Sequence, residues 1–299
     1  MFDMTPQLDC AGRLLRLDQP RVIGIVNVTP DSFSDGGQHA GVDAAVAHGL
    51  RLAGEGADVL DVGGESTRPG AAPVSLEDEL RRVIPVVAQL AQATTLPISI
   101  DTSKPEVMRA AVAAGAGIIN DVYALRRDGA LVAAAELGVP VVLMHLLGDP
   151  GSMQDDPRYD DVVADVHRFL AERLFACEMA GIAKKNLVVD PGFGFGKTLE
   201  HNLLLLRQLS RFADLGVPVL AGLSRKRSLG DLTGRGVDDR LAASVAAAVL
   251  AAEYGARLVR VHDVAATVDA LKVWAAVSVL PGPSAKPGKP AAPKWPDDD

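Results

Sequence analysis

Eight short apolar runs recur along the chain, each ending in a polar or small residue and then a loop. That recurrence constrains the fold more than any other feature. The runs lie near Val22–Val28, Val59–Val62, Ile98–Ile100, Ile118–Ile119, Val139–Met144, Leu187–Val189, Val217–Ala221 and Leu258–Val261. Unbroken apolar character over so few residues reads as a strand buried on both faces, as in a parallel sheet covered by helices. Each interval except the short third-to-fourth one holds a helix of ten or more residues. Eight strand and helix units in alternation specify an α/β fold of the (β/α)8 TIM barrel type. An open, doubly wound sheet is the structural rival. The intervals carry the expected punctuation. Val42 to Gly56 repeats apolar residues at helical spacing, Ser75 stands as an N-cap before LEDELRRVIPVVAQL, and Lys104-Pro105 opens PEVMRAAVAAG. Gly138 and Gly216 close helices just ahead of the fifth and seventh strands.

The remaining segments are assigned around that core. Residues 1–20 contain LDCAGRLLRL, a short hairpin turning at Gly12 that belongs to the barrel domain and seals its floor. Residues 21–280 form the barrel, and 281–299, with six prolines and no apolar periodicity, read as a disordered tail. A net charge of −8 argues against nucleic acid or an anionic membrane as the main partner. Two cysteines, Cys10 and Cys177, make neither a disulfide framework nor a metal quartet. With no membrane span and no basic-apolar leader, the expected location is cytoplasmic.

In a parallel α/β protein the loops after the strand carboxyl ends gather at one face and carry the chemistry. Reading the residue at or just past each strand gives Asn27, Asp61, Asp101, Asn120 with Asp121, Met144 with His145, Asp190, Gly222 to Lys226, and Arg260 with His262. Any one of these carboxylates could be a helix N-cap, and Asp61 and Asp121 are the ones for which that reading competes best. Together they make a polar mouth. Asp101, Asn120, Asp190 and Lys226 suit a flat heterocycle, since a carboxylate accepts two N–H bonds from an amino-pyrimidine edge. Arg68, Arg260 and His262, with Asn27, suit an anion such as pyrophosphate. The amide oxygen of Asn27 also suits Mg²⁺, which binds through one or two protein oxygens plus substrate phosphates.

The run Asp190-Pro-Gly-Phe-Gly-Phe-Gly-Lys-Thr198 superficially matches a nucleotide-binding phosphate loop, but Pro191 occupies the place of its first glycine. It is better read as a loop that holds Phe193 and Phe195 over a flat ligand, with Lys197 either turned inward or solvated. In Gly222-Leu-Ser-Arg-Lys-Arg-Ser228 the first turn of a helix and Ser224 could receive a carboxylate or phosphate. Arg225 and Arg227 are assigned no role. His39, His48, His167 and His201 read as surface residues, and no pair has metal-ligand spacing for zinc.

Taken in order, these motifs resemble the dihydropteroate synthase family. The resemblance rests on Asn27 to Gly37 (NVTPDSFSDGG), Asp61 to Gly70 (DVGGESTRPG), Ile100 to Pro105, Ile119-Asn-Asp121, Asp190 to Lys197, Ser224-Arg-Lys226 and Arg260-Val-His262, and it covers roughly residues 8 to 280. It implies a barrel that joins a pterin methyl diphosphate ester to 4-aminobenzoate and releases pyrophosphate with Mg²⁺. Carried over by position, the pterin pocket is Asp101, Asn120, Met144, Asp190, Gly222 and Lys226, with Asp101, Asp190 and Lys226 closest to the chemistry. Asn27, Thr67, Arg68, Arg260 and His262 would meet the diphosphate, with Asn27 as metal contact. Phe33, Pro69, Phe195 and Ser224 would shape the aminobenzoate slot. Family members are usually homodimers. Closure of Thr29–Gly37 and Glu65–Ala71 over the mouth would exclude water. Arg227 stands where a smaller Ser is common in the family. Two rivals remain: a methyltetrahydrofolate-binding methyltransferase barrel, and a non-catalytic pterin binder.

Overall fold

The computed structural model describes residues 6–28, 37–66, 72–149 and 151–278, without the side chains of 37–40. Phe33, Thr67, Arg68, Pro69, most of the two mouth loops and the tail 281–299 lie outside the described residues. The chain starts with an antiparallel hairpin, β1 (Gln7–Cys10) and β2 (Arg13–Arg16), whose register pairs Cys10 with Arg13. Eight parallel strands and their helices follow: β3 (Arg21–Asn27), α1 (Gly37–Gly54), β4 (Val59–Gly63), α2 (Leu76–Ala93), β5 (Ile98–Asp101), α3 (Pro105–Ala113), β6 (Ile118–Asp121), α4 (Ala130–Leu137), β7 (Val141–Met144) and α5 (Val162–Met179). The second part is β8 (Leu187–Asp190), α6 (Leu199–Arg207), β9 (Leu220–Ala221), α7 (Arg227–Thr233), α8 (Leu241–Glu253), β10 (Leu258–Val261) and α9 (Val264–Ser278). The hydrogen-bonded order runs β8-β7-β6-β5-β4-β3-β10-β9, and a parallel bridge between Val189 and Val219 brings the two ends together. This nearly closed ring is the TIM barrel that the eight runs predict.

Two of the strands are shorter than their apolar runs. Val139, Val217 and Val219 are buried, yet β7 begins only after Pro140 and β9 only after Pro218. Proline has no N–H to give a ladder, so pairing on that side starts one or two residues later. Pro218 still accepts from Val189 N at 3.0 Å, which is how the barrel closes. Helix α1 begins at Gly37, ahead of the periodic segment from Val42. Ser75 caps α2 as its position predicts, its hydroxyl accepting from Asp78 N at 3.1 Å, an interaction contributing about 1 kcal/mol.

The two-residue period of a strand explains how one chain builds a dry floor and a polar mouth. Ile23, Val59, Ile118, Val142, Val188, Leu220 and Leu258 point into the barrel and pack on Leu8, Cys10, Leu15 and Leu17 of the hairpin segment. Moving two residues along each strand reaches the next inward layer, which includes Asp61, Asn120, Met144, Asp190, Gly222 and Arg260. The alternate residues, such as Leu60, Val62, Ile100 and Val189, face the helices in the outer core. The hairpin is seated closely: a Cβ on Gly117 would lie 2.4 Å from Cys10 O, so glycine is required at that position. Each fully buried leucine of the plug contributes roughly 1.5–3 kcal/mol.

Candidate active site

Arg260 organises the mouth. Its Nε donates to Asp61 Oδ2 at 2.6 Å, and its Nη2 donates to Asp101 Oδ2 at 2.8 Å. Asp61 Oδ2 also accepts from Asn120 Nδ2 at 3.2 Å. Four side chains from β4, β5, β6 and β10 thereby form one connected cluster across the barrel. The sequence division into a heterocycle group and an anion corner places Asp101 and Arg260 apart, but the structure makes them neighbours. Asp61, absent from the residues assigned a role by resemblance, is the hinge of the cluster. It is 1% exposed, caps no helix, and its Oδ1 has no hydrogen-bond partner. Its signal in the sequence is its place two residues beyond Val59 on an inward-facing register. Asp121 is a turn group: it is fully buried and accepts from Tyr123 N at 2.9 Å and Leu125 N at 2.8 Å.

Burial raises the Asp101 carboxyl to about 7; Arg260 opposes that rise, while the like charges of Asp61, Asp121 and Glu79 add to it. Asp190 at the end of β8 is also raised by burial, against the pull of Lys226 and of a hydrogen bond from Gly192 N at 2.7 Å. Burial brings the Lys226 ammonium down to about 8, with Asp190 opposing and Arg260 assisting. Its Nζ lies 4.2 Å from the centroid of the Phe195 ring and donates to Phe193 O. The result is a set in which Asp101, Asp190 and Lys226 have proton affinities shifted towards neutrality, beside the Asn120 amide and an Arg260 guanidinium that its carboxylate neighbours keep firmly protonated.

Phe195 is half-buried and packs beside Met144, Val122, Leu146 and Met153, with Lys226 over its ring. Phe193 departs from expectation. It is 1% exposed and belongs to the outer hydrophobic core, so only one of the two phenylalanines covers the mouth. Simple alternation would put both rings on one side, and the left-handed φ of +80° at Gly194 breaks it. Lys197 is turned inward and 3% exposed.

On the other side of Arg260, Ser224 and His262 are joined. Ser224 Oγ lies 3.0 Å from His262 Nδ1 and accepts from His262 N at 3.1 Å. Between them and the helices, Arg225 is not a solvated charge. It adopts φ +58°, and its guanidinium holds both oxygens of Asp263, at 2.6 and 3.1 Å. The left-handed backbone at Arg225 lets its neighbours Ser224 and Lys226 reach different parts of the mouth. Arg227 at the start of α7 is exposed, 3.8 Å from Asp231. His48 is half-buried, its Nε2 3.2 Å from Ile25 O, where the sequence suggests a surface residue.

Asn27 is exposed at the end of β3 and, with His262 and Arg225, lines an open cleft of about 610 Å³ that continues along α1. Among the described residues no group of three His, Cys, Asp or Glu side chains could enclose a metal ion. A single amide oxygen beside an open cleft fits Mg²⁺ that takes its other ligands from phosphate and water.

The chain matches the model of the pterin binding enzyme family over residues 23–262. It is 54% identical over 267 residues to the dihydropteroate synthase of Escherichia coli (strain K12), covering 89% of this chain and 95% of that protein. The structure of Xanthomonas albilineans dihydropteroate synthase with 4-aminobenzoic acid superposes with a TM-score of 0.89 at 68% identity, covering 93% of this chain and all of the other. The same enzyme in complex with 7,8-dihydropteroate gives a TM-score of 0.85 at 66% identity, over 92% of this chain and all of the other. With most of its length matched at such identity, the chain belongs to the pterin-binding enzyme family, among the dihydropteroate synthases.

Proposed function

We infer that this chain condenses (7,8-dihydropterin-6-yl)methyl diphosphate with 4-aminobenzoate to give 7,8-dihydropteroate and pyrophosphate. The observation that carries the reading is the Arg260 bridge between Asp61 and Asp101, which sets a guanidinium beside the carboxylates of a heterocycle pocket. The substrate needs that adjacency, because its ring and its diphosphate are separated by a single methylene. Asp101, Asn120, Asp190 and Lys226 bind the pterin edge, with Met144 and Gly222 lining its faces. Arg260, His262 and Asn27, with Thr67 and Arg68, receive the diphosphate. Phe195 and Ser224, with Phe33 and Pro69, shape the aminobenzoate slot.

The C–O bond of the ester breaks first, and its electron pair leaves with pyrophosphate. Asp101 and Asp190 stabilise the cation left on the pterin methylene. The aryl amine then forms the C–N bond and releases a proton. Mg²⁺ held by Asn27 and the diphosphate would neutralise charge on the departing group. Buried walls around Asp101 and Asp190 strengthen these interactions by excluding water.

Turnover with the pterin ester, 4-aminobenzoate and Mg²⁺, followed by pyrophosphate release, tests the assignment. Binding of the pterin without pyrophosphate release would refute it, and full activity in excess chelator would refute the metal. We further propose a homodimer. Leu241 and Leu250 on α8 and Val273 and Val277 on α9 are exposed apolar side chains that a second copy would cover, and sedimentation at micromolar concentration tests this. Cys10 and Cys177 are buried free thiols, which supports a cytoplasmic location, and no helix among the described residues is long and apolar enough to cross a membrane.

A further inference from the structure

The loop from Gly192 to Gly196 is held by side chains at every carbonyl. Lys197 Nζ donates to Gly192 O at 2.8 Å and to Phe195 O at 3.0 Å, and it lies 2.9 Å from His145 Nδ1. Lys226 takes Phe193 O, Gln154 takes Gly194 O, and Tyr159 Oη takes Gly196 O at 2.8 Å. Lys197 Nζ has these three acceptors within 3.0 Å in a dry site, with His145 O a fourth at 3.5 Å, and burial holds its pKa well below the usual lysine value against the pull of Asp190. None of the three is a carboxylate, so the arrangement is not an ion pair formed for charge balance.

The braced loop has little freedom. Gly192, Gly194 and Gly196 all have positive φ, and a Cβ on Gly192 would lie 1.9 Å from His145 O. Its backbone is also the direct partner of two pocket side chains. Gly192 N donates to Asp190 Oδ1, and Phe193 O receives Lys226, which stands over the Phe195 ring. Any shift of the loop moves Asp190, Lys226 and Phe195 together.

We propose that Lys197 is a positioning residue for the pterin pocket, aiming Asp190 and Lys226 through the carbonyls it binds, with Tyr159 as an outer brace of the same loop. Lys197 touches no substrate in this role. A brace that served folding alone would lower stability but leave the folded protein's affinity for pterin unchanged.

The proposal rests on the dihydropteroate synthase reading, and the test separates the two. Wild-type turnover judges that reading. Calorimetric affinity for 6-hydroxymethylpterin, measured without the second substrate, judges this one in wild type, Lys197→Met and Tyr159→Phe. Lys197→Met is expected to weaken pterin binding at least about tenfold, and Tyr159→Phe about threefold. In turnover the KM for the pterin ester should rise more than kcat falls. If Lys197→Met does not fold, Tyr159→Phe decides alone. Affinities within twofold of wild type in every folded variant, or no pterin binding by the wild type, would overturn the proposal.

Discussion

Replacing Asp61 by Asn tests whether the mouth is held together by the buried cluster. Asp61 accepts from Arg260 at 2.6 Å and Asn120 at 3.2 Å, and it is one of the like charges that raise Asp101 to about 7. The substitution nearly preserves volume but removes a charge, so two effects follow. Losing a charge-assisted hydrogen bond at a buried site costs roughly 1.5–3 kcal/mol. If that loss is felt in the transition state, kcat/KM at pH 8 falls by about 10- to 150-fold. Meanwhile Asp101 loses a like-charged neighbour but keeps Arg260, so its pKa drops towards the ordinary carboxylate range. In the wild type the acid limb of kcat/KM should have its midpoint near 7, because binding an amino-pyrimidine edge needs the ionised carboxylate. In the variant the plateau is lower and the limb moves to lower pH. The assay is pyrophosphate release at subsaturating pterin ester from pH 5 to about 9, with the range chosen to bracket that titration. A limb that stays in place while the plateau falls, or an unchanged plateau, would refute the electrostatic coupling of Asp61 to Asp101.

Four further outcomes follow from the same geometry. Asp101→Asn should lower turnover by at least about 100-fold while leaving the protein folded, and near-normal turnover would remove Asp101 from the chemistry. Because the folded pKa of Asp101 lies above its unfolded value, the folded state binds the extra proton, and this group's contribution makes stability fall as pH rises from about 4 to 7. Urea titrations of Asp101→Asn should lack that component of the slope. Gly192→Ala combines a left-handed φ with a Cβ 1.9 Å from His145 O, so it should destabilise by more than about 3 kcal/mol, read from the denaturation midpoint. Phe193→Ala should cost about 3–5 kcal/mol as a core truncation, read from the denaturation midpoint.

How far the sequence discloses the site depends on which physical rule locates each residue. Period-two alternation on eight buried strands is a strong signal, and it places Asp101, Asn120, Asp190 and Arg260 at one mouth because each stands two residues past an inward-facing side chain. The same rule applies equally to Asp61, but it says nothing about which donors the carboxylate meets. A residue 199 positions away in the chain, Arg260, decides that Asp61 is an orienting group and not a cap. Arg225 and Lys197 are obscure for a different reason. Both lie in loops, where a charged side chain reads as solvated unless its acceptors are known. Their acceptors are Asp263 for Arg225, and His145 with loop carbonyls for Lys197, all set by tertiary closure. The two phenylalanines make the same point from the apolar side. Spacing in Gly-Phe-Gly-Phe-Gly cannot distinguish a ring that covers a pocket from one that fills the core, because glycine leaves the turn direction open. Only the positive φ values at Gly192, Gly194 and Gly196 separate Phe193 from Phe195. Strand-borne chemistry is therefore visible in the residue pattern, and the groups that orient it become visible only when the ring of strands closes.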